Sequence, residues 1–451
     1  MKPYFEDSHS TLYNGDSRMA LAALEPESVD CCVTSPPYWS LRSYAGIEPL
    51  LFGGREDCEH EFAVIERKGQ SGGPSEKQTS NAGSWFPPSS TVTCRLCSAW
   101  RGHYGLEPTP QMYIEHSMEY LDDIWRVLKP SGTVFWNLGD SWVGSGGDHK
   151  EHHKNDAGFQ GKNGHLRGGT GGKPLSSGLK PKDMALIPFR FAIAAQERGW
   201  WVRSTIIWAK NNPMPESVTD RPTDAHEYIF LPTKSARYYW NQEAVREANA
   251  AGSLERYRAG ERIPSRKKLG GSARANESFL EGQVFQADGR NSRSVWTFPT
   301  QGYPEAHFAT FPEELPRRCI AAGTSEKGVC PDCGKPWEQV KEPTPAYKER
   351  LAHANDRGDW YDRRETTRKR DDGTKQGKQV GGIVAEYVML GWRPTCKHTS
   401  EPIPAVVLAL FAGSGTTLHV ARKMGRRSIG VELSGKYCEL IVDRIRQGVL
   451  L

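Results

Sequence analysis

Residues Ala405–Leu433 read AVVLALFAGSGTTLHVARKMGRRSIGVEL, and this stretch decides the fold. Ala405–Leu410 is a short continuous apolar run closed by glycines, the pattern of a strand covered on both faces. FAGSG is a turn, Thr416–Met424 a helix and Ser428–Leu433 a second strand. Tyr437–Gln447 follows as a last helix. Two strands do not make a stable parallel sheet, so the missing neighbours must come from elsewhere in the chain. The N-terminal region supplies them: Thr11–Tyr13 as a strand, a turn at Asn14–Ser17, a helix through Leu24, and the apolar Val29–Thr34 as another strand. The spacing therefore predicts an α/β fold in circularly permuted order.

The turn Phe411-Ala412-Gly413-Ser414-Gly415-Thr416-Thr417 stands between strand and helix, where glycine lets backbone approach a ligand at the carboxyl edge of a parallel sheet. A lone G-x-G also occurs for packing alone. The added signal is Glu432 at the end of the next strand, where a carboxylate can accept both hydroxyls of a ribose. No Lys-Ser or Lys-Thr follows the glycines, which excludes a P-loop. A nucleoside cofactor without a phosphate chain fits.

Thr34-Ser35-Pro36-Pro37-Tyr38-Trp39 closes the Val29–Thr34 strand. Two prolines fix the backbone and remove donors. They can hold the Ser35 hydroxyl and the Pro36 carbonyl as a rigid pair of acceptors, with the Tyr38 ring as a stacking face. Such a pair suits the two protons of an exocyclic amine. A plain strand-ending turn with core aromatics is the competing reading, and it weakens once the glycine turn and Glu432 are counted.

The chain has 451 residues, a formal net charge of +5 and 37% hydrophobic residues. No apolar run is long enough to span a bilayer, and the N-terminus does not read as a signal peptide. A cytoplasmic protein without a membrane partner is expected. Mild basicity permits a nucleic-acid partner. Six of the ten cysteines fall into CxxC or CxH clusters. Cys58 and His60 face Cys94 and Cys97 across residues 61–93, and Cys330 and Cys333 pair with Cys396 and His398 across 334–395. Two Cys3His sets in mirrored order predict two structural zinc sites with no open coordination position. His149, His152 and His153 lie in a Gly- and Lys-rich stretch and read as a solvated loop instead.

TSPPYW together with FAGSGTT resembles the amino-methylating, S-adenosylmethionine-dependent DNA methyltransferases, and the order, catalytic motif first and glycine motif last, resembles their permuted β class. YNGDSRMAL, WNLGDSW, WAKNNPMPESVTDRPTDAHEYIFLPTKSARYYW and HFATFPEELPRRCIAAGTS carry the likeness through much of the chain. The resemblance implies a Rossmann-like methyltransferase fold. It assigns Ser35, Pro36, Pro37 and Tyr38 to the target base, and Phe411, Gly413, Gly415, Thr416 and Glu432 to the cofactor. Asp16 would approach the adenine, and Phe311 and Pro312 the methionine end. Ala409-Leu410-Phe411 stands where the family usually reads DPF, so one acid is missing.

The resemblance also implies double-stranded DNA as partner, base flipping, and transfer to cytosine N4, because serine opens the motif; adenine N6 is the alternative. No Pro-Cys dipeptide exists to serve cytosine-C5 chemistry. A related fold acting on RNA or a protein amide, and a non-catalytic DNA binder, are the other readings weighed. The expected division is 1–52 catalytic, 53–105 first zinc-binding insertion, 106–244 catalytic with a mobile loop over 144–181, 245–295 target recognition, 296–326 catalytic, 327–400 second zinc-binding insertion with a basic tract, and 401–451 cofactor-binding.

Overall fold

The computed structural model describes residues 1–41, 47–55, 57–63, 92–143, 178–180, 182–249, 285–286, 288–302, 311–349 and 384–447. Most of the loop expected over 144–181, the histidines at 149–153 and the basic tracts within 250–284 and 350–383 lie outside them.

Nine strands form the main sheet: β1 (Phe5–Glu6), β2 (Ser10–Asn14), β3 (Val29–Thr34), β4 (Leu128–Leu138), β5 (Trp201–Ala209), β6 (His226–Thr233), β7 (Val295–Thr297), β8 (Val406–Ala409) and β9 (Arg427–Glu432). Their order is β1-β2-β9-β8-β3-β4-β6-β5-β7. The five central strands β2, β9, β8, β3 and β4 are parallel, and β6 runs antiparallel to both its neighbours. The two C-terminal strands thus sit between the N-terminal β2 and β3, as the permuted reading expects. Val407 pairs with Cys31 and Leu408 with Cys32 on one side, and Glu432 pairs with Asn14 on the other.

The helices are α1 (Ser17–Ala23), α2 (Pro110–Val127), α3 (Ile187–Glu197), α4 (Glu314–Gly323), α5 (Thr416–Lys423) and α6 (Gly435–Gln447). α2 starts at the Thr109 cap, whose hydroxyl accepts from the Met112 N–H at 3.2 Å, with Pro110 at the first position, where it has no helical donor to lose. All six residues of β3 are buried, as are Thr133–Leu138 of β4. Side chains such as Trp136, Phe135 and Leu121 fill the layers beside them, each contributing about 2–3 kcal/mol by leaving water.

α2 stops at Val127 and β4 begins at Leu128, so the strand takes in Pro130-Ser131-Gly132. Pro130 keeps Lys129 out of the helical region, and the ladder absorbs the motif as an irregularity, jumping from Val29↔Leu128 to Cys31↔Thr133.

The chain divides into two compact units. The first, Met1–Trp240, Ser294–Glu326 and Pro404–Leu451, holds the main sheet. It also holds a small antiparallel sheet ordered Leu50–Phe52, Trp100–Gly102, Val92–Cys94, Phe62–Ala63. The second, Asn241–Arg293 and Lys327–Ile403, is built around the antiparallel pair Trp337–Pro343 and Tyr387–Pro394. Within it Glu243 pairs with Arg246 at 2.6 Å and with Lys341 at 2.7 Å, which pulls its carboxyl down to about 2.

Candidate active site

The chain leaves β8 through α5 to β9 on one side, and leaves β3 through α2 to β4 on the other. The strand order reverses between β8 and β3, so a crevice opens at their carboxyl ends. TSPPYW and FAGSGTT both begin there, and the Thr417 hydroxyl donates to the Val33 carbonyl at 3.4 Å, joining the two motifs directly.

Gly413 and Gly415 have φ of +54° and +75°, values that L side chains rarely adopt, which accounts for both glycines. The Gly413 N–H donates to Glu432 Oε2 at 2.8 Å, and the Ser434 N–H donates to Oε1 at 2.9 Å. The carboxylate is therefore aimed, yet each oxygen keeps a lone pair for another donor. Burial pushes its carboxyl up from the ordinary 4.5. Beneath the turn, buried Arg444 donates to the Ser414 carbonyl at 3.1 Å, to the Thr416 hydroxyl at 3.0 Å and to Glu313 at 3.2 Å. Glu313 follows Phe311 and Pro312 and also pairs with Lys423 at 3.2 Å, so those two residues lie beside α5. Phe411 sits among Tyr104, Tyr120 and Trp136, with ring centroids 5.2–6.3 Å away.

Asp16 caps α1, accepting from the Arg18 N–H at 2.9 Å, and pairs with the Arg18 guanidinium at 2.7 Å. That guanidinium lies over the Phe52 ring at 4.0 Å. Ala409 is buried among Leu12, Leu418, Cys438 and Ile441, so the position where the resemblance leads one to expect an acid is apolar here.

The prolines of the catalytic-loop candidate are held from below. Tyr113 donates its hydroxyl to the Pro37 carbonyl at 3.0 Å, the Ser40 N–H donates to the Gly105 carbonyl at 2.6 Å, and the Trp39 indole donates to the Glu107 carbonyl at 2.9 Å. Glu107 in turn accepts from the Gly105 N–H and contacts His116 Nδ1, both at 2.9 Å. Phe52 and Trp100 of the small sheet stack on His116 at 4.4 and 5.3 Å. Gly139, just past β4, lets the Tyr38 ring lie against backbone; a Cβ there would stand 2.8 Å from the ring.

Three side chains to which sequence reading gave no role converge on the motif. Asn137 of β4 donates through Nδ2 to the Tyr38 hydroxyl at 2.8 Å and to Glu227 Oε2 at 2.7 Å. The Tyr38 hydroxyl donates to Glu227 Oε2 at 2.6 Å, and Ser35 Oγ donates to the Tyr38 hydroxyl at 3.3 Å. Lys210, just past β5, pairs with Glu227 Oε1 at 2.6 Å. Asn137 Oδ1 is buried without a protein partner among the described residues. A signal existed: Asn137 is the one polar letter in the apolar run VFWNL, and Glu227 directly precedes the apolar run YIFL.

The four ligand atoms of Cys58, His60, Cys94 and Cys97 lie within 4.8 Å of one another, and so do those of Cys330, Cys333, Cys396 and His398. Cys58 Sγ is 3.9 Å from Cys94 Sγ, matching the edge of about 3.8 Å expected for thiolates at zinc-bond distance on a tetrahedron. Cys97 Sγ is 3.3 Å from His60 Nδ1 and Cys330 Sγ 3.5 Å from His398 Nδ1.

The model of the DNA methylase family, whose members methylate N6 or N4 amino groups, matches residues 29–333 and 396–443, well over half of the chain. The chain belongs to this DNA methylase family. Among similar proteins, the Type II methyltransferase M.Cfr9I of Citrobacter freundii is 32% identical over 335 residues, covering 74% of this chain and 76% of the relative. M.XycI of Xanthomonas campestris pv. cyanopsidis is 33% identical over 316 residues, covering 70% and 73%. Among solved structures, the PvuII DNA methyltransferase (cytosine-N4-specific) aligns at TM-score 0.46 and 13% identity over 98% of this chain and 88% of that one. The chain is a DNA methyltransferase with a permuted Rossmann-like α/β fold. No helix among the described residues is long and apolar enough to cross a membrane.

Proposed function

We propose that the protein transfers the methyl group of S-adenosylmethionine to the exocyclic amino group of a base flipped out of double-stranded DNA, with cytosine N4 as the acceptor. The observation that carries this reading is the abutment of TSPPYW and FAGSGTT at one switch point, tied by the Thr417–Val33 bond. A nucleoside cofactor at the glycine turn and a base at the prolines would then meet across a single crevice.

Glu432 receives the ribose hydroxyls; Phe411, Gly413, Gly415 and Thr416 line the cofactor, with Phe311 and Pro312 toward its methionine end and Asp16 toward the adenine. S-adenosylmethionine supplies an electrophilic methyl. Ser35 Oγ and the Pro36 carbonyl accept the two amino protons, which localises the nitrogen lone pair for in-line attack. Pro37 stiffens the turn, and Tyr38 stacks on the base. Serine at the first position of the motif favours cytosine.

The same reading places a structural zinc ion in each Cys3His set, folding segments too polar to fold by burial alone. Its relatives are Type II methyltransferases, and we read the chain as the modifying member of a restriction–modification pair. Expression in a host without DNA methylation, followed by nucleoside mass spectrometry of the host DNA, tests the reading. N4-methylcytosine supports it, N6-methyladenine reassigns the base, and no methylated base overturns it.

A further inference from the structure

We infer that Glu227 is the terminal proton acceptor of the methyl-transfer step, acting through the Tyr38 hydroxyl on Ser35, and that Lys210 and Asn137 hold it in place. The inference rests on the proposed amino-methylation. When the amine takes the methyl group, the carbon–sulfur bond breaks, its electron pair stays on sulfur, and the nitrogen becomes cationic. That nitrogen must lose one proton. Ser35 is a poor resting place for it, since a hydroxyl has no tendency to hold a second proton near neutrality.

The geometry supplies an exit. Ser35 Oγ donates to the Tyr38 hydroxyl at 3.3 Å, and the Tyr38 hydroxyl donates to Glu227 Oε2 at 2.6 Å. One proton passes from the amine to Ser35 Oγ, the Ser35 proton to Tyr38 Oη, and the Tyr38 proton to Glu227. The balance closes with a neutral N-methylamine, a neutral thioether and a protonated Glu227. The partly exposed carboxyl then releases its proton to water. Before transfer the same carboxylate draws the Tyr38 proton toward itself, which makes Ser35 Oγ a better acceptor as positive charge grows on the amine.

Two further contacts fit a relay better than a packing role. Asn137 Nδ2 donates to Glu227 Oε2 at 2.7 Å and to the Tyr38 hydroxyl at 2.8 Å, with a longer contact to Ser35 Oγ at 3.5 Å, so one amide touches all three members of the relay and fixes the lone pairs that must be aligned. Lys210 bonds the other Glu227 oxygen at 2.6 Å and leaves Oε2 to Tyr38 and Asn137. Glu227 acts through Tyr38, so it is a positioning and proton-accepting residue rather than one that touches the base.

Glu227→Gln is isosteric and retains an oxygen to accept from Tyr38, but lacks the basicity. The assay is single-turnover transfer of labelled methyl from S-adenosylmethionine to in-vitro-amplified, unmethylated bacterial genomic DNA, with enzyme in excess. Glu227→Gln is expected to slow transfer about 10²-fold, with cofactor and DNA affinities within twofold of wild type, and Glu227→Asp to recover part of the rate. Tyr38→Phe keeps the ring and should lose as much, and the double variant no more than either single one. A Glu227→Gln rate within threefold of wild type overturns the inference. So do additive losses in the double variant, or a loss explained by weakened binding or folding. If wild-type protein labels no amino group at all, the proposed amino-methylation itself fails, and the relay with it.

Discussion

The Gly413 N–H donates to Glu432 Oε2 at 2.8 Å across nineteen residues, fixing the tip of the glycine turn to the acid of the next strand. If Glu432 binds the ribose, Glu432→Gln should weaken S-adenosylmethionine by about 1.5–3 kcal/mol, ten- to a hundredfold. Isothermal titration of the purified protein measures it.

The same residue predicts a pH dependence. Burial raises the Glu432 carboxyl above 4.5 in the fold. Its contribution to stability without cofactor is complete below the unfolded value and is lost as pH rises through the raised one. Cofactor affinity runs the other way, because the carboxylate is the better acceptor: it should fall as pH drops through the raised value. Glu432→Gln should remove that acid-side loss in titrations across a pH series.

Arg444 holds the underside of the turn through Ser414, Thr416 and Glu313. Arg444→Met keeps the length and removes the donors, so it should cost about 2–3 kcal/mol of stability. Thermal unfolding should show a lowered midpoint, and S-adenosylmethionine affinity should drop with it.

The two cysteine-histidine sets should hold two zinc ions per chain by elemental analysis, and Cys94→Ser or Cys330→Ser should each remove one. The first set has a further consequence. Cys94 ends the strand Val92–Cys94, whose hairpin partner Trp100–Gly102 presses Trp100 onto His116, and His116 holds Glu107 beneath the Gly105–Pro37 contact. Chelation of the first ion should therefore slow methyl transfer as well as unfold the hairpin.

The permuted sheet was legible because its signals are local. An apolar run, a glycine turn and an acid at the end of the next strand fall within Ala405–Leu433. The prolines of TSPPYW announced a fixed backbone in the same way. Asn137, Lys210 and Glu227 were not legible as a group, because β4, β5 and β6 bring them together only when β6 runs antiparallel between the other two. Pro130-Ser131-Gly132 has the composition of a helix stop and of a strand irregularity alike, and only the pairing of Val29 and Cys31 with β4 distinguishes them. Arg444 is in sequence one of several basic residues on the C-terminal helix, and its burial follows from where α6 packs.

The central claim is that Ser35 presents an acceptor to the amino group of a flipped cytosine. Wild type and Ser35→Ala, expressed side by side in a host without DNA methylation, test it by nucleoside mass spectrometry of the host DNA. The account predicts N4-methylcytosine from wild type, a loss of about 10²-fold or more in Ser35→Ala, and unchanged S-adenosylmethionine binding by the variant. An unchanged N4-methylcytosine level in Ser35→Ala, or N6-methyladenine as the wild-type product, contradicts it.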